Sequence, residues 1–257
     1  MFNRSLLLNL FFLLAVFSCQ IPGRAQTLDQ SDVPFDPNNI EAVHSRFSEH
    51  LPQLMGMMWS LSHNYSDKSA VDKVINDLTD FLTAIRSNDQ EALTKLGGLN
   101  GVKDRFAAFT KSDDSVVRGF SAVVLGSFGD KKYVPAIANI LEGDFKFKDE
   151  FAQMTDVSKG QAAIALSMLG ATEYENKVLE LLKTGNDFNR EGAITALIGL
   201  GGRKHAKAVV DLMLDKNAYA LNKLAPLNFL IETGAAPDYK RALIALMRQS
   251  FDTEQRT

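Results

Sequence analysis

Cysteine is almost missing from this chain of 257 residues, which carries one, Cys19. A single cysteine excludes an internal disulfide framework and any zinc site built from several thiolates. Histidine is scarce as well, and four of them leave few groups for metal binding or proton transfer near neutral pH. Neither sign of charge is in excess. With 28 basic and 31 acidic residues the net charge is −3, which gives no overall attraction to nucleic acid or to an anionic membrane. Seven prolines and 17 glycines are too few for a collagen-like or low-complexity chain. What remains, 46% hydrophobic and 23% charged residues, is the make-up of an ordinary folded protein of one or two domains.

Long apolar runs are also lacking, except at the amino terminus. Met1 to Arg4 carries one positive charge, and Ser5 to Phe17 follows as an apolar stretch too short to cross a bilayer as an anchor. This is the pattern of a secretory signal peptide. Pro22 and Gly23 break its helix, and Gly23 and Ala25 put small side chains where a signal peptidase accepts them, so the expected signal is residues 1–25, cut before Gln26. Val16-Phe17-Ser18-Cys19 also resembles a bacterial lipobox, in which the cysteine is lipidated and becomes the new amino terminus; Phe17 departs from the smaller residues usual there. Cys19 is therefore either a lipid anchor or a residue discarded with the signal. Residues 26–38, with Asp29, Asp32, Pro34, Asp36 and Pro37, read as a polar tether. The expected location is exported, periplasmic or secreted, with membrane contact only through an anchored Cys19.

An internal repeat organises the rest. Leu125-Gly-Ser-Phe-Gly129, Leu166-Ser-Met-Leu-Gly170, Leu197-Ile-Gly-Leu-Gly201 and Leu230-Ile-Glu-Thr-Gly234 share a leucine four residues before a glycine, and the glycines lie 41, 31 and 33 residues apart. Eleven residues before each glycine stands a basic residue: Arg118, Lys159, Arg190 and Lys223. Past each glycine come apolar pairs, Ile137 and Ala138, Val178 and Leu179, Val209 and Val210, Ala242 and Leu243. A turn later come Ile140 and Leu141, Leu181 and Leu182, Leu212 and Met213, Ala245 and Leu246. That spacing builds an apolar helical stripe on each side of the glycine, so each unit is a helical hairpin, with the glycine in the left-handed conformation that ends the first helix. Small residues recur at Ala122, Ala163 and Ala193.

These features, with the openings Asp113 to Arg118 and Asp187 to Arg190, resemble HEAT-like repeats of the subclass also found in phycobilisome lyases. The resemblance covers about residues 111–250 and implies an all-α fold, a right-handed α-solenoid of stacked hairpins in the HEAT and armadillo style, with the second helices lining the concave face. Upstream, residues 39–110 are expected to cap the array. Asn39 to His63 and Lys68 to Arg86 read as amphipathic helices facing inward through Ile40, Val43, Phe47, Leu51 and Leu54, then Val71, Val74, Ile75, Leu78 and Leu82. Asp89 to Leu96 and Val102 to Phe109, around Gly97 and Gly98, read as a shortened extra unit, and residues 251–257 as a tail.

Catalytic signatures are missing in turn: no Gly-x-Ser-x-Gly elbow, His-Glu-x-x-His pair, Walker loop, calcium loop or dinucleotide fingerprint. Leu96 to Gly101 has three glycines but no following Lys and Ser or Thr to hold phosphates, and reads as a turn. Glu41 and His44 form one Glu-x-x-His without the second such helix that a di-metal carboxylate site needs, and they read, with His50, as a solvated face. No metal or cofactor is expected. Asn64-Tyr65-Ser66 is a glycosylation sequon, meaningful only in a eukaryotic source.

Three features hold candidate binding residues. The recurrent Arg118, Lys159, Arg190 and Lys223, preceded in three units by Asp114, Asp156 and Asp187, read as a structural ladder between neighbouring units. The starts of the last two second helices gather Arg203, Lys204, His205 and Lys207, then Lys240 and Arg241, a basic patch suited to a carboxylate, a phosphate or an acidic protein segment, or an ordinary solvated helix start. The long first interval leaves an insertion around Gly143 to Phe151, whose Phe145, Phe147 and Phe151 either cover the core or present a binding surface. A non-enzymatic scaffold for a protein or peptide partner in the envelope or outside the cell is the expected function, with no nucleic acid bound. The alternative that the resemblance implies is a lyase- or chaperone-like protein handling a tetrapyrrole or other small ligand; export and a single Trp59 weigh against it. A HEAT-like DNA glycosylase fits worst, because the chain is acidic and lacks an aromatic-rich basic cleft.

Overall fold

The computed structural model describes residues 35–63, 68–147, 150–215 and 224–244. The expected signal, Cys19, most of the tether, the sequon and Lys223 lie outside these residues. Among those described the chain is all-α, with no strand.

Two long helices come first, α1 (Ile40–His63) and α2 (Lys68–Arg86). Asn39 caps α1 by accepting a hydrogen bond from the Ala42 amide at 3.0 Å. Val43, Phe47, Leu54 and Leu61 bury one stripe of α1, and Val71, Val74, Leu78, Phe81, Ala84 and Ile85 bury one of α2. Leu51 does not join this stripe as expected and stays 38% exposed. At about 100° per residue it lies roughly 40° beyond Phe47 on the side away from Leu54, and Met55 and Trp59 continue that exposed flank. Next come α3 (Gln90–Lys95) and α4 (Gly98–Phe109). The glycine run is only partly a turn: Gly97 and Gly98 have φ of +78° and +68°, but helix α4 already starts at Gly98 rather than near Val102.

Hairpins occupy the rest. First helices are α5 (Ser115–Phe128), α8 (Ser158–Met168), α10 (Asp187–Leu200) and α12 (Leu224–Glu232). Second helices are α6 (Val134–Glu142), α9 (Glu175–Thr184) and α11 (Ala206–Leu214), each entered through a short 3-10 turn, and residues 240–244 begin a fourth. A short helix α7 (Glu150–Met154) sits in the insertion. The apolar pairs predicted for the second helices are the ones that pack: Ile137, Ala138, Ile140 and Leu141, then Val178, Leu181 and Leu182, then Val209, Val210 and Met213 are buried.

First helices pack side by side, α5 on α8, α8 on α10 and α10 on α12. Small residues let them approach. A Cβ on Gly192 of α10 would come within 2.4 Å of the Gly160 Cα in α8, and one on Gly126 of α5 would meet the Ala165 backbone at 3.0 Å. α5 is buried continuously from Val117 to Phe128, because α8, α4, α1 and α2 surround it. Phe128 meets Phe47 of α1 and Phe81 of α2 with ring centroids 4.8 and 5.1 Å apart, so the capping helices share one core with the first hairpin.

The first helices end at left-handed glycines Gly129, Gly170 and Gly234, with φ of +70°, +63° and +66°. The third unit differs: Gly201 has φ −148° and the left-handed residue is Gly202 at +57°. Gly201 is still confined, since a Cβ there would meet the His205 ring at 2.3 Å.

Candidate functional site

The basic residues that recur at one repeat position have different surroundings. Arg118, on α5, is 2% exposed. Its Nη1 donates to the Ser112 carbonyl at 2.6 Å, its Nη2 donates to Ser158 Oγ at 3.3 Å, and Asp156 lies 3.7 Å away as its ion-pair partner. The Phe145 ring covers the guanidinium at 3.7 Å. Burial pulls the Arg118 pKa down, while Asp156, Asp114 and Asp113 push it back. Of the insertion's aromatics, Phe145 thus packs on the core as the lid over a buried cation; Phe147 is half-buried and the Phe151 side chain lies outside the description. Arg190 is held locally, by Asp187 at 3.4 Å and the Lys183 carbonyl at 3.2 Å, and Lys159 is half-buried. Asparagines continue the link to the next unit: Asn186 donates to the Asp156 carbonyl at 2.8 Å, and Asn189 accepts from the Gly160 amide at 2.8 Å.

At the turns entering the second helices, acidic residues engage most of the basic patch. Lys204 and His205, in the third unit, reach Glu175 in the second at 2.7 and 2.9 Å. Arg203 pairs with Asp238 in the fourth unit through Nε at 3.2 Å, and Lys207 pairs with Asp211 on its own helix at 2.6 Å. The hydrogen bond from Lys204 holds the Glu175 carboxyl below the usual carboxylate range; burial opposes this and His205 adds to it. Lys240 and Arg241 are exposed and form no ion pair among the described residues.

The first-to-second junction is built differently. Lys131 and Glu173 hold the corresponding turn positions, yet no ion pair joins them, and a groove of about 330 Å³ opens between the two turns. Val134 and Pro135 line one wall, and Leu169, Gly170, Ala171 and Tyr174 the other. Pro135 stands in the first turn of α6, where its missing N–H leaves no helix bond unmade. A larger depression of about 570 Å³ is lined by Lys68, Ser69, Asp72, Lys73, Asn76 and Asp77, all from α2, and is a polar helix face rather than a cleft between elements.

Beside the groove the described end of the tether is docked. Phe35 lies against Gly129, where a Cβ would meet its ring, and 5.2 Å from Arg46. Arg46 donates to the Met168 carbonyl at 2.6 Å and the Gly126 carbonyl at 3.4 Å, placing a cation at the carbonyl ends of both α8 and α5. Lys103, fully buried, donates to Asp130 Oδ2 at 2.7 Å, Asn38 Oδ1 at 3.2 Å and the Pro37 carbonyl at 3.4 Å. Asp130 itself caps the turn into α6 through the Lys132 amide. Residues 35–39 are thereby strapped across the first hairpin.

Glu41 and His44 are exposed on α1, and no group of three His, Cys, Asp or Glu residues is arranged for a metal among the described residues. His50 is pushed down to about 4 by burial and by the Arg46 charge. Sequence patterning did not single out Arg46, Lys103, Pro135 or Tyr174; the one local signal was Asp130 directly after the glycine, a helix-capping residue in a turn. No helix among the described residues is long and apolar enough to cross a membrane. No protein-family model and no curated protein matches the chain.

Proposed function

We propose that the chain is an exported, non-enzymatic scaffold, a right-handed α-solenoid of HEAT-like hairpins that binds a protein or peptide segment across its turns. The groove between the first and second hairpins carries this reading. It is open rather than enclosed, lined by the apolar Val134, Pro135 and Leu169 and by Tyr174, with one residue of each charge, Lys131 and Glu173. Such a lining suits an extended segment, whose backbone stays solvated while two or three side chains are buried. Stacked hairpins supply surface of this kind, since each contacts only its neighbours and the turns line up along one edge. The basic patch is the weaker location, because Arg203, Lys204 and Lys207 already have carboxylate partners.

Crosslinked affinity capture from the native host tests the reading. Lys131→Glu with Glu173→Lys, both at exposed positions, is expected to remove most partner capture without changing the melting temperature, whereas Arg203→Glu with Lys207→Glu leaves capture intact. The reverse pattern in folded variants refutes the assignment to the groove.

A further inference from the structure

Every second helix is entered through a 3-10 turn whose last residue carries an aromatic ring: Tyr133, Tyr174, His205 and Tyr239 in chain order. Two of these rings reach back to a carboxylate on an earlier helix. Tyr133 donates from Oη to Asp104 of α4 at 2.6 Å, and Lys132 lies 3.7 Å from the same carboxylate. His205 Nε2 lies 2.9 Å from Glu175, and Lys204 lies 2.7 Å from it. Each carboxylate is thus held by the polar tip of an aromatic ring and by the lysine before it. Tyr239 belongs to the junction that Arg203 and Asp238 pin. Tyr174 has neither arrangement. Glu175, the partner of His205, is the first residue of α9, whereas the first residue of α6 is Val134, so the wall facing Tyr174 offers no carboxylate. Tyr174 is half-buried in the groove lining, and its hydroxyl has no hydrogen-bond partner among the described residues.

We infer that the partner segment supplies the carboxylate that this junction lacks, and that the groove selects a segment carrying an acidic, an apolar and a basic side chain. The carboxylate accepts from Tyr174 Oη beside Lys131, the apolar side chain covers Val134, Pro135 and Leu169, and the basic one meets Glu173. The inference rests on the reading of the groove as a binding site. Charge complementarity decides the occupant. Lys131 and Glu173 are both exposed, both line the groove and form no ion pair among the described residues. A purely acidic segment is repelled by Glu173 and a purely basic one by Lys131, whereas a segment with both signs satisfies each. The tyrosine hydroxyl adds direction, because a charge-assisted hydrogen bond to a carboxylate is about twice as strong as one between neutral groups.

Titration of the ¹⁵N-labelled full chain with short capped peptides tests this, read from the amide resonances of residues 170–174. The probe has an aspartate, a leucine and a lysine between alanines, in both orders; the controls replace the aspartate by asparagine or the lysine by glutamine. Saturable shifts with the probe in at least one order are expected. Asparagine is expected to weaken binding about tenfold and glutamine several-fold. Tyr174→Phe, which keeps the ring, is expected to weaken the probe about tenfold and to leave the asparagine control unchanged. Val134→Glu, which copies Glu175, is expected to lower probe binding by engaging Tyr174 and Lys131 from within the chain. Equal binding of probe and asparagine control, probe binding indifferent to Tyr174→Phe, or no binding in either order overturns the inference. Any of these results together with partner capture that depends on Lys131 and Glu173 overturns it alone. Capture indifferent to Lys131→Glu with Glu173→Lys removes the underlying reading instead.

Discussion

Glycine positions separate two demands that look alike in the sequence. Gly192 has ordinary helical surroundings but faces Gly160, and any Cβ there meets backbone that cannot move aside. Gly192→Ala is expected to cost about 1–3 kcal/mol by overpacking, read from chemical denaturation. Gly170 is the converse: it has a φ of +63° and open space around it, so Gly170→Ala is expected to cost only about 1–2 kcal/mol of backbone strain and to leave helix packing unchanged. Equal packing changes in both variants contradict this division. His50 provides a pH signature. Its pKa falls from the usual 6.5 to about 4 on folding, so below pH 6.5 the unfolded chain takes up a proton that the folded chain refuses. Its contribution to stability is complete above about pH 6.5 and is lost as the pH falls towards 4. His50→Gln is expected to flatten the pH dependence of the denaturation midpoint over that window; an unchanged slope would show that His50 titrates normally.

Helices, more than single residues, were legible in the sequence. The apolar pairs at i, i+3 and i+4 located α6, α9 and α11, and the leucine-to-glycine ends located the turns after α5, α8 and α10. Periodicity reports which side of a helix is buried, however, not how far a stripe extends, and so Leu51 was placed inward although its flank of α1 faces solvent. Nor does it report pairing between units. Arg203, Lys204 and Lys207 read as a basic patch or as solvated helix starts, without partners, because Glu175 and Asp238 are 29 and 35 residues distant and Asp211 shares the helix of Lys207. The groove was illegible for a related reason: it lies between turns of two units, and no local pattern encodes which turns meet or what lines the space between them. The pins between turns make weak demands on stability. Glu175→Gln is expected to cost no more than about 1 kcal/mol in global unfolding. Hydrogen exchange is expected to quicken in the turn of residues 202–205 and the start of α11, with α5 unaffected. Faster exchange spread evenly over the array would mean that these pins hold more than one junction.

For the molecule as a whole, export, the repeat architecture and the groove form one account. Mass spectrometry of the mature amino terminus is expected to find Gln26 or a lipidated Cys19; an intact Met1 in native protein would remove the export proposal. Either mature form retains Phe35 to Asn39, the residues strapped across the first hairpin. The central claim is that partners bind where the hairpin turns part rather than where basic residues gather. Its most direct test places a photoreactive phenylalanine analogue once at position 135, in the groove, and once at position 203, in the basic patch, and compares partner crosslinking in the native host. Efficient crosslinking to one protein or peptide segment from position 135, with little from position 203, is the predicted result. Crosslinking from position 203 alone, or from neither position, would contradict the account.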